Sequence, residues 1–271
     1  MPANEPADEK TPPFDISVAH PARIYDYWLG GKDNFAADRE AGDRVIQLRP
    51  DIIPGVRANR RFLGRAVRYL VQQEGIRQFL DIGTGLPSSN NTHEVAQRAA
   101  PESRVVYVDN DPIVLTHARA LLTSTQQGKT AYVSADLRDD GKIMAEAAQT
   151  LDFGQPVALM FLMTLQYIPD SDDPQAITRR YLDALAPGSF LVLSDPITEN
   201  DDVVLGESAR RLNEGMGGKF TQTRRTPQAI ASFFEGLEIV EPGLVTLSRW
   251  HPGPDEPDHY IPTRCAVARK P

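Results

Sequence analysis

The sequence predicts an α/β protein with a doubly wound, mostly parallel β-sheet. Short apolar strands alternate with amphipathic helices from residue 57 onward, which is the pattern of such sheets. An acid or a glycine turn follows each of the first three strands. The longest apolar run, 157–165, is typical of a central parallel strand covered on both faces.

Apolar runs and helical spacing place the individual elements. Strands are expected at 78–83, 104–109, 130–136, 157–165 and 189–195, with two late candidates near 237–249 and 260–269. Helices are expected at 37–48, 57–73, 91–100, 111–122 and 141–150, and after residues 173 and 226. Pro50 and Pro54 are expected to end the first of these helices.

Capping signals support the helix starts. Asn91 followed three residues later by Glu94 has the spacing of a capping box. Asp-Pro pairs at 111–112 and 173–174 and a Thr-Pro pair at 226–227 combine a polar N-cap with proline at the first helical position. Both features favour helix initiation.

Three parts are expected along the chain. Residues 1–13 are rich in proline and acids and predict a disordered tail, and residues 57–271 hold the main domain. Residues 14–56 form an N-terminal helical cap, which is either a structural clasp or a lid over the binding site. In a lid, Gly30 and Gly31 would act as a hinge.

The composition restricts which classes of binding partner and which cellular compartment are expected. The net charge is −8, from 29 Lys and Arg against 37 Asp and Glu, which disfavours nucleic-acid backbones and anionic lipid as partners. The single cysteine, Cys265, and the absence of a signal-peptide pattern predict a cytoplasmic protein. The apolar run at 157–165 is less than half the roughly 20 residues that span a bilayer. The histidine spacing suggests no metal site.

Acids and glycines stand at the ends of the first three strands. In such a sheet, ligands bind at the carboxyl ends of the strands. The turn after the first strand contains Gly83 and Gly85, which allow the backbone to approach a ligand closely. Asp109 ends the second strand and has the chemistry to accept both hydroxyls of a ribose. Asp136 follows the third strand, where a carboxylate accepts a hydrogen bond from an exocyclic amine such as that of adenine.

These segments resemble a known family. FLDIGTG at 79–85, VYVDND at 106–111 and SADL at 134–137 resemble the first three cofactor motifs of class I, Rossmann-like methyltransferases. PARIYDYWLGGKDNFAADRE, which begins at residue 21, and DIGTGLPSSNNTHEVAQ, which begins at residue 81, resemble an actinobacterial family of S-adenosylmethionine-dependent methyltransferases first catalogued as a domain of unknown function. The resemblance implies a seven-stranded sheet whose last strand is antiparallel.

The resemblance also implies a cofactor site for S-adenosyl-L-methionine. Its expected residues are Asp81, Gly83, Gly85, Asp109, Asn110, Asp136 and Leu137, with Tyr27 and Lys32 added from the N-terminal segment. The two glycines would face the methionine and ribose portions, Asp109 the ribose diol and Asp136 the adenine amine. Lys32 is a candidate for the methionine carboxylate. Tyr167 and His20 are weaker candidates for substrate contact.

The leading hypothesis is a methyltransferase that acts on an unidentified small molecule. No catalytic residue is assigned, because aligned methyl transfer needs a general base only when the acceptor starts protonated. A nucleotide-linked oxidoreductase is the first alternative, weakened because Ser88 replaces the third glycine of a dinucleotide fingerprint. The second alternative is a non-catalytic regulatory protein that binds S-adenosylmethionine.

Overall fold

A seven-stranded β-sheet with helices on both faces forms the centre of the chain. The computed structural model describes residues 15–114, 124–198, 203–258 and 260–271. The strands in these ranges are β1 (Gln78–Ile82), β2 (Arg104–Asp109), β3 (Lys129–Ser134), β4 (Ala158–Leu162), β5 (Phe190–Pro196), β6 (Glu238–Ile239) and β7 (Thr263–Arg269). The helices are α1 (Pro21–Leu29), α2 (Ala36–Leu48), α3 (Ile52–Gln72), α4 (Thr92–Ala99), α5 (Asp140–Ala147), α6 (Pro174–Asp183), α7 (Val203–Gly215) and α8 (Pro227–Ala231).

The strand order is β3-β2-β1-β4-β5-β7-β6. Strands β1 to β5 pair in parallel, whereas β7 is antiparallel to both β5 and β6. The predicted seven-stranded sheet with an antiparallel last strand is therefore confirmed. The strand order reverses between β1 and β4, which is where open α/β sheets form their ligand crevice.

Alternating side chains of the strands feed two apolar cores. On β1, Leu80 packs in the core that includes α5 and α6, whereas Phe79 packs in the core that includes α3 and α4. The central strand β4 contributes to both cores, through Leu159 on one face and Met160 on the other. Its apolar sequence follows from this burial on both faces.

A third apolar cluster builds the N-terminal cap. Ile24 and Trp28 of α1 pack with Val45 of α2 and with Leu212 of α7. The cap helices thus depend on one another for burial of their apolar faces. Helix α1 ends at Gly30, whose left-handed φ of 84° allows the turn that closes the helix.

The predicted capping signals operate as expected. Asn91 and Glu94 form a capping box on α4. The side chains of Asp173 and Thr226 accept backbone N–H groups at the starts of α6 and α8. Local chemistry therefore positions these helix starts.

Three predicted boundaries are wrong. Helix α3 begins at Ile52, so Pro54 lies in its first turn, where a missing N–H does no harm, instead of ending α2. Strand β4 ends at Leu162, because Met163 adopts a left-handed φ of 59°. The late strand at 237–249 contracts to β6, since Pro242 lacks an N–H and Gly243 has a φ of 90°.

Two of the predicted elements include residues that the structure does not describe. The tail at 1–13 and the portion of the 111–122 helix beyond residue 114 lie outside the described residues. Among the helices of the described ranges, none combines the length and the apolarity needed to cross a membrane.

Candidate functional site

A cavity of about 480 Å³ opens at the carboxyl ends of the parallel strands. Its walls include the segments that follow β1 to β4, together with residues of α1, α3 and α7. The volume lies in the range of small-molecule and cofactor sites, about 300–1,000 Å³. The cavity is therefore the candidate binding site, and it lies between the sheet and the N-terminal cap.

The turn after β1 is built around two glycines. Gly83 and Gly85 have left-handed φ values of 72° and 68°. A Cβ at Gly83 would lie 2.3 Å from the side chain of Thr164, so a larger residue does not fit there. The Gly83 N–H donates to the carbonyl of Val108 at 2.8 Å, which ties the turn to β2. The glycines thus bring bare backbone to the cavity wall.

Asp109 at the end of β2 is held by backbone on both oxygens. Its Oδ2 accepts the N–H of Gly85 at 2.8 Å, and its Oδ1 accepts the N–H of Asp111 at 2.9 Å. Burial raises the pKa of Asp109 to about 6, and the backbone hydrogen bonds oppose that rise. A carboxylate has about four lone-pair positions, so Asp109 retains capacity for two further donors.

Asp81 and Arg60 bring opposite charges to the wall beside the glycine turn. The Oδ2 atom of Asp81 accepts the hydroxyl of Thr92 at 2.6 Å. Burial raises the pKa of Asp81 to about 6, opposed by the hydrogen bond from Thr92 and by the charge of Arg60. The Nη2 atom of Arg60 donates to the carbonyls of Ser89 and Asn90, at 3.2 and 3.1 Å. Its Nε is buried without a hydrogen-bond partner in the described part of the chain.

Asp136 lies after β3, at another wall of the cavity. Arg138 grips it through Nε to Oδ1 at 2.8 Å and Nη2 to Oδ2 at 2.7 Å. Hydrogen bonding to Arg138 lowers the pKa of Asp136 from its usual value, so the carboxylate is ionised at neutral pH. Arg138 also donates to Asp172 at 2.9 Å, which holds the fork in place.

A buried polar network joins α1 to the end of β2. The Nδ1 atom of His20 accepts the N–H of Ala22 at 3.3 Å and lies 3.1 Å from Oδ2 of Asp111. Arg23 lies 3.4 Å from the same oxygen and 3.7 Å from Asp38. Burial lowers the pKa of His20 to about 4, so this ring is neutral at physiological pH.

The loop after β4 carries Gln166 and Tyr167 to the cavity. A buried guanidinium holds this loop: Arg225 donates to the carbonyl of Leu165 at 2.9 Å and to that of Ile168 at 2.6 Å. Asp195 accepts the N–H of Gln166 at 3.1 Å. Burial raises the pKa of Asp195 to about 7, and the charge of Arg225 opposes the rise. The loop conformation thus depends on groups that do not line the cavity.

Comparison with known proteins identifies the family. The model of the S-adenosyl methyltransferase family matches residues 7–271. A DUF574 family protein from Streptomyces avermitilis MA-4680 is 47% identical, with a TM-score of 0.91 over 95% of this chain and 99% of that one. A methyltransferase candidate from Thermobifida fusca YX is 40% identical, with a TM-score of 0.86 over 94% of this chain and 96% of that one.

The chain belongs to the S-adenosyl methyltransferase family. It is a methyltransferase, and its cofactor is S-adenosylmethionine. A methyltransferase from Anabaena variabilis shares only the fold, at 16% identity and a TM-score of 0.51 over 76% of this chain and 84% of that one. No curated protein matches the chain at a significant level.

Most predicted site residues of the methyltransferase meet at the cavity. The lining includes Asp81, Gly83, Gly85, Asp109, Asn110, Asp136 and Leu137, as well as the substrate candidates His20 and Tyr167. These residues come from five separate segments of the chain, and the parallel sheet gathers four of them at one edge.

Tyr27 and Lys32 do not line the cavity, contrary to their predicted cofactor role. Tyr25 and Trp28 of α1 line it, and Tyr27 points to another side of that helix, where its hydroxyl donates to Asp43 at 2.6 Å. Lys32 is exposed, beyond the end of α1.

Sequence reasoning missed Arg60 of the methyltransferase. The sequence predicts no role for Arg60 in the site, yet Arg60 lines the cavity. One signal was present: Arg60 lies one helical turn after Val56 and one before Leu63, both of them buried. An arginine within an apolar stripe needs a hydrogen-bond acceptor or a negative charge as its partner. Arg60 lies beside the glycine turn, where such a partner would bind.

Proposed function

We propose that the chain transfers a methyl group from S-adenosylmethionine to a small molecule bound in the same cavity. The observation that carries this proposal is Asp109. Its carboxylate is fixed by two backbone N–H groups at the strand ends and retains acceptor capacity at the cavity. A ribose diol supplies the two donors that this carboxylate lacks.

The donor set fits the three portions of the cofactor. Asp109 would hold the ribose, and Asp136 would accept the adenine amine beside Asn110 and Leu137. The amino-acid end carries one ammonium and one carboxylate group, which the charges of Asp81 and Arg60 complement. The position of Arg60 in the cavity wall, beside the Asp81 carboxylate and the glycine turn, supports this assignment.

The walls of the cavity suit a reaction that depends on orienting the methyl donor and the acceptor. S-adenosylmethionine, when bound, supplies an electrophilic methyl group on a sulfonium. The protein's task is to hold an acceptor in line with that methyl and to exclude water, which contributes about 7–11 kcal/mol in well-oriented reactions. Residues of α1 and the loop after β4 wall the cavity on the sides not formed by the strand ends.

His20 and Tyr167 are the proposed substrate contacts. Burial raises the pKa of Tyr167 above its usual range, so its hydroxyl stays neutral and donates a hydrogen bond. Burial lowers the pKa of His20, so its ring is available as a neutral hydrogen-bonding group. A small molecule suits these walls better than a nucleic acid, because the chain has a net charge of −8.

Calorimetry with S-adenosylhomocysteine and with NAD tests the proposal. We expect binding of S-adenosylhomocysteine and no binding of NAD of comparable strength. Turnover is then sought by incubating the protein with S-adenosylmethionine and a library of small molecules, with release of S-adenosylhomocysteine as the signal. Tight NAD binding without S-adenosylhomocysteine binding would contradict the proposal.

A further inference from the structure

One part of the cavity wall is apolar and comes largely from the helices. It is formed by Trp28 on α1, Val45 on α2, Ile52 on α3, Leu212 on α7, and Ile261, which lies next to Gly55 of α3. We call this part the acceptor lobe. Arg49, which follows α2, also lines it, one helical turn beyond Val45.

Arg49 is a buried guanidinium in these apolar surroundings. Its side chain is 7% exposed, and its partner Asp51 is 46% exposed. Both Nε and Nη2 of Arg49 donate to the two oxygens of Asp51, the first at 3.1 Å. This fork fixes the plane of the guanidinium. It leaves Nη1 available to a ligand, because that atom makes no hydrogen bond within the described residues.

We propose that the acceptor lobe binds small apolar carboxylic acids, whose carboxylate accepts a hydrogen bond from Nη1 of Arg49. The inference rests on the proposed function, since it names the class of methyl acceptor: a carboxylate oxygen would bond to the methyl carbon as the carbon–sulfur bond of S-adenosylmethionine breaks, which gives a methyl ester and S-adenosylhomocysteine with no proton to remove. The charge of Arg49 acts more strongly than that of an exposed arginine because its side chain is 7% exposed. Its ion partner Asp51 also lines the cavity, but its side chain is 46% exposed, so water screens its charge more than that of Arg49.

Lys219 and Arg224, from the segment that follows α7, also line the cavity. They add positive potential, which favours an anionic occupant over a neutral one of equal shape. The apolar walls provide the remaining affinity through burial.

Matched ligand pairs test the proposal in the full chain saturated with S-adenosylhomocysteine. The pairs are 2-naphthoate with 2-naphthamide, and cyclohexanecarboxylate with cyclohexanecarboxamide. Calorimetry should show at least about tenfold tighter binding of each acid, the difference expected for one charge-assisted hydrogen bond. Quenching of Trp28 fluorescence, absent in Trp28→Phe, should report binding in the lobe.

Arg49→Gln should remove the preference for the acid while leaving S-adenosylhomocysteine affinity unchanged. Arg44→Gln is the matched control, because Arg44 lies on α2, which Arg49 follows, but is 44% exposed and paired with Glu40. Asp51→Asn keeps the charge of Arg49 and removes its neutralising partner, so it should strengthen the preference for the acid and keeps the proposal testable if Arg49→Gln fails to fold.

The possible results separate this proposal from the proposed function. If S-adenosylhomocysteine binds but neither acid binds at millimolar concentration, or the amides bind equally well, the acceptor assignment is overturned. A preference that persists in Arg49→Gln, or that fails to rise in Asp51→Asn, would also overturn it. Failure of S-adenosylhomocysteine itself to bind would contradict the proposed function instead.

Discussion

Asp109 combines two properties at the scale of a single residue. Backbone N–H groups of Gly85 and Asp111 fix its orientation, and burial raises its pKa to about 6. A carboxylate that is already oriented binds a diol without further loss of side-chain freedom. We therefore expect Asp109 to contribute a large share of the binding free energy of the cofactor.

Asp109→Ala should weaken S-adenosylhomocysteine binding by at least about tenfold. The variant loses hydrogen bonds to a charged group, each worth roughly 1.5–3 kcal/mol. Asp109→Asn keeps the size but loses the charge and one acceptor, so its affinity should be intermediate or equally poor. Calorimetry measures both, with the exposed carboxylate variant Asp183→Ala as control. Unchanged affinity in a folded Asp109→Ala protein would place the ribose elsewhere.

Arg60→Gln should distinguish binding of the amino-acid end of the cofactor from binding of its nucleoside end. If Arg60 holds the methionine carboxylate, the variant should bind S-adenosylhomocysteine about tenfold or more weakly. Binding of methylthioadenosine, which lacks the amino-acid end, should change little. The control is Arg57→Gln, an exposed arginine of the same helix outside the cavity lining. An equal loss for both ligands would show that Arg60 acts through the fold alone.

At the scale of an element, α1 forms part of the cavity wall and carries the predicted lid. Its glycine pair has a local explanation that requires no hinge. Gly30 closes the helix at a φ of 84°, and a Cβ at Gly31 would lie 1.9 Å from a carboxylate oxygen of Asp26. That carboxylate accepts the N–H of Asp33 and the amide of Asn34, at 3.0 and 2.9 Å. The glycines thus allow a tight turn after α1.

Hydrogen exchange tests whether α1 covers the bound cofactor. Because α1 contributes Ala22 and Tyr25 to the cavity, we expect exchange across residues 20–35 to slow when S-adenosylhomocysteine is added. Helix α6, which contributes no residue to the cavity lining, serves as the internal reference. Equal exchange in both states would identify the segment as a structural clasp.

The loop after β4 shows how one element is shaped by others. Arg225 and Asp195 are nearly or fully buried, at 3% and 0% exposure, and they hold the backbone on either side of Gln166. The side chains of this loop that line the cavity, Gln166 and Tyr167, are thereby held from the side opposite the cavity. A change in either buried group would act on substrate binding without touching the substrate.

At the scale of the whole molecule, we expect cofactor binding to be coupled to proton release. Burial raises the pKa values of Asp81 and Asp109 to about 6 in the ligand-free protein. Ribose hydroxyls and an ammonium group favour the ionised carboxylates. Binding should therefore expel protons when the pH is near or below 6.

Affinity for S-adenosylhomocysteine should accordingly be full above about pH 7 and fall as the pH drops through 6. If only the ionised form of Asp109 binds, affinity at pH 5 is about tenfold lower than at pH 7.5. Calorimetry across pH 5–8 measures this slope, and buffers of different ionisation enthalpy report the protons released. The slope should become shallower in Asp109→Ala, and a flat profile in the wild-type protein would contradict the coupling.

Local patterns determined much of this fold. Apolar periodicity located the strands of the parallel sheet, and capping pairs such as Asn91 with Glu94 located the helix starts, because these signals act over a few residues. The acids at strand ends, Asp109 and Asp136, could be predicted as neighbours since parallel strands bring their carboxyl ends to one edge.

Only the tertiary structure decided which cap residues reach the cavity. The sequence placed Tyr27 and Lys32 in the right segment, but the rotation of α1 against its neighbours directs Tyr25 and Trp28 inward instead. The contacts of Arg225 with Leu165 join positions far apart in sequence, and no local pattern encodes them. Periodicity specifies which residues are buried, whereas helix packing specifies what they are buried against.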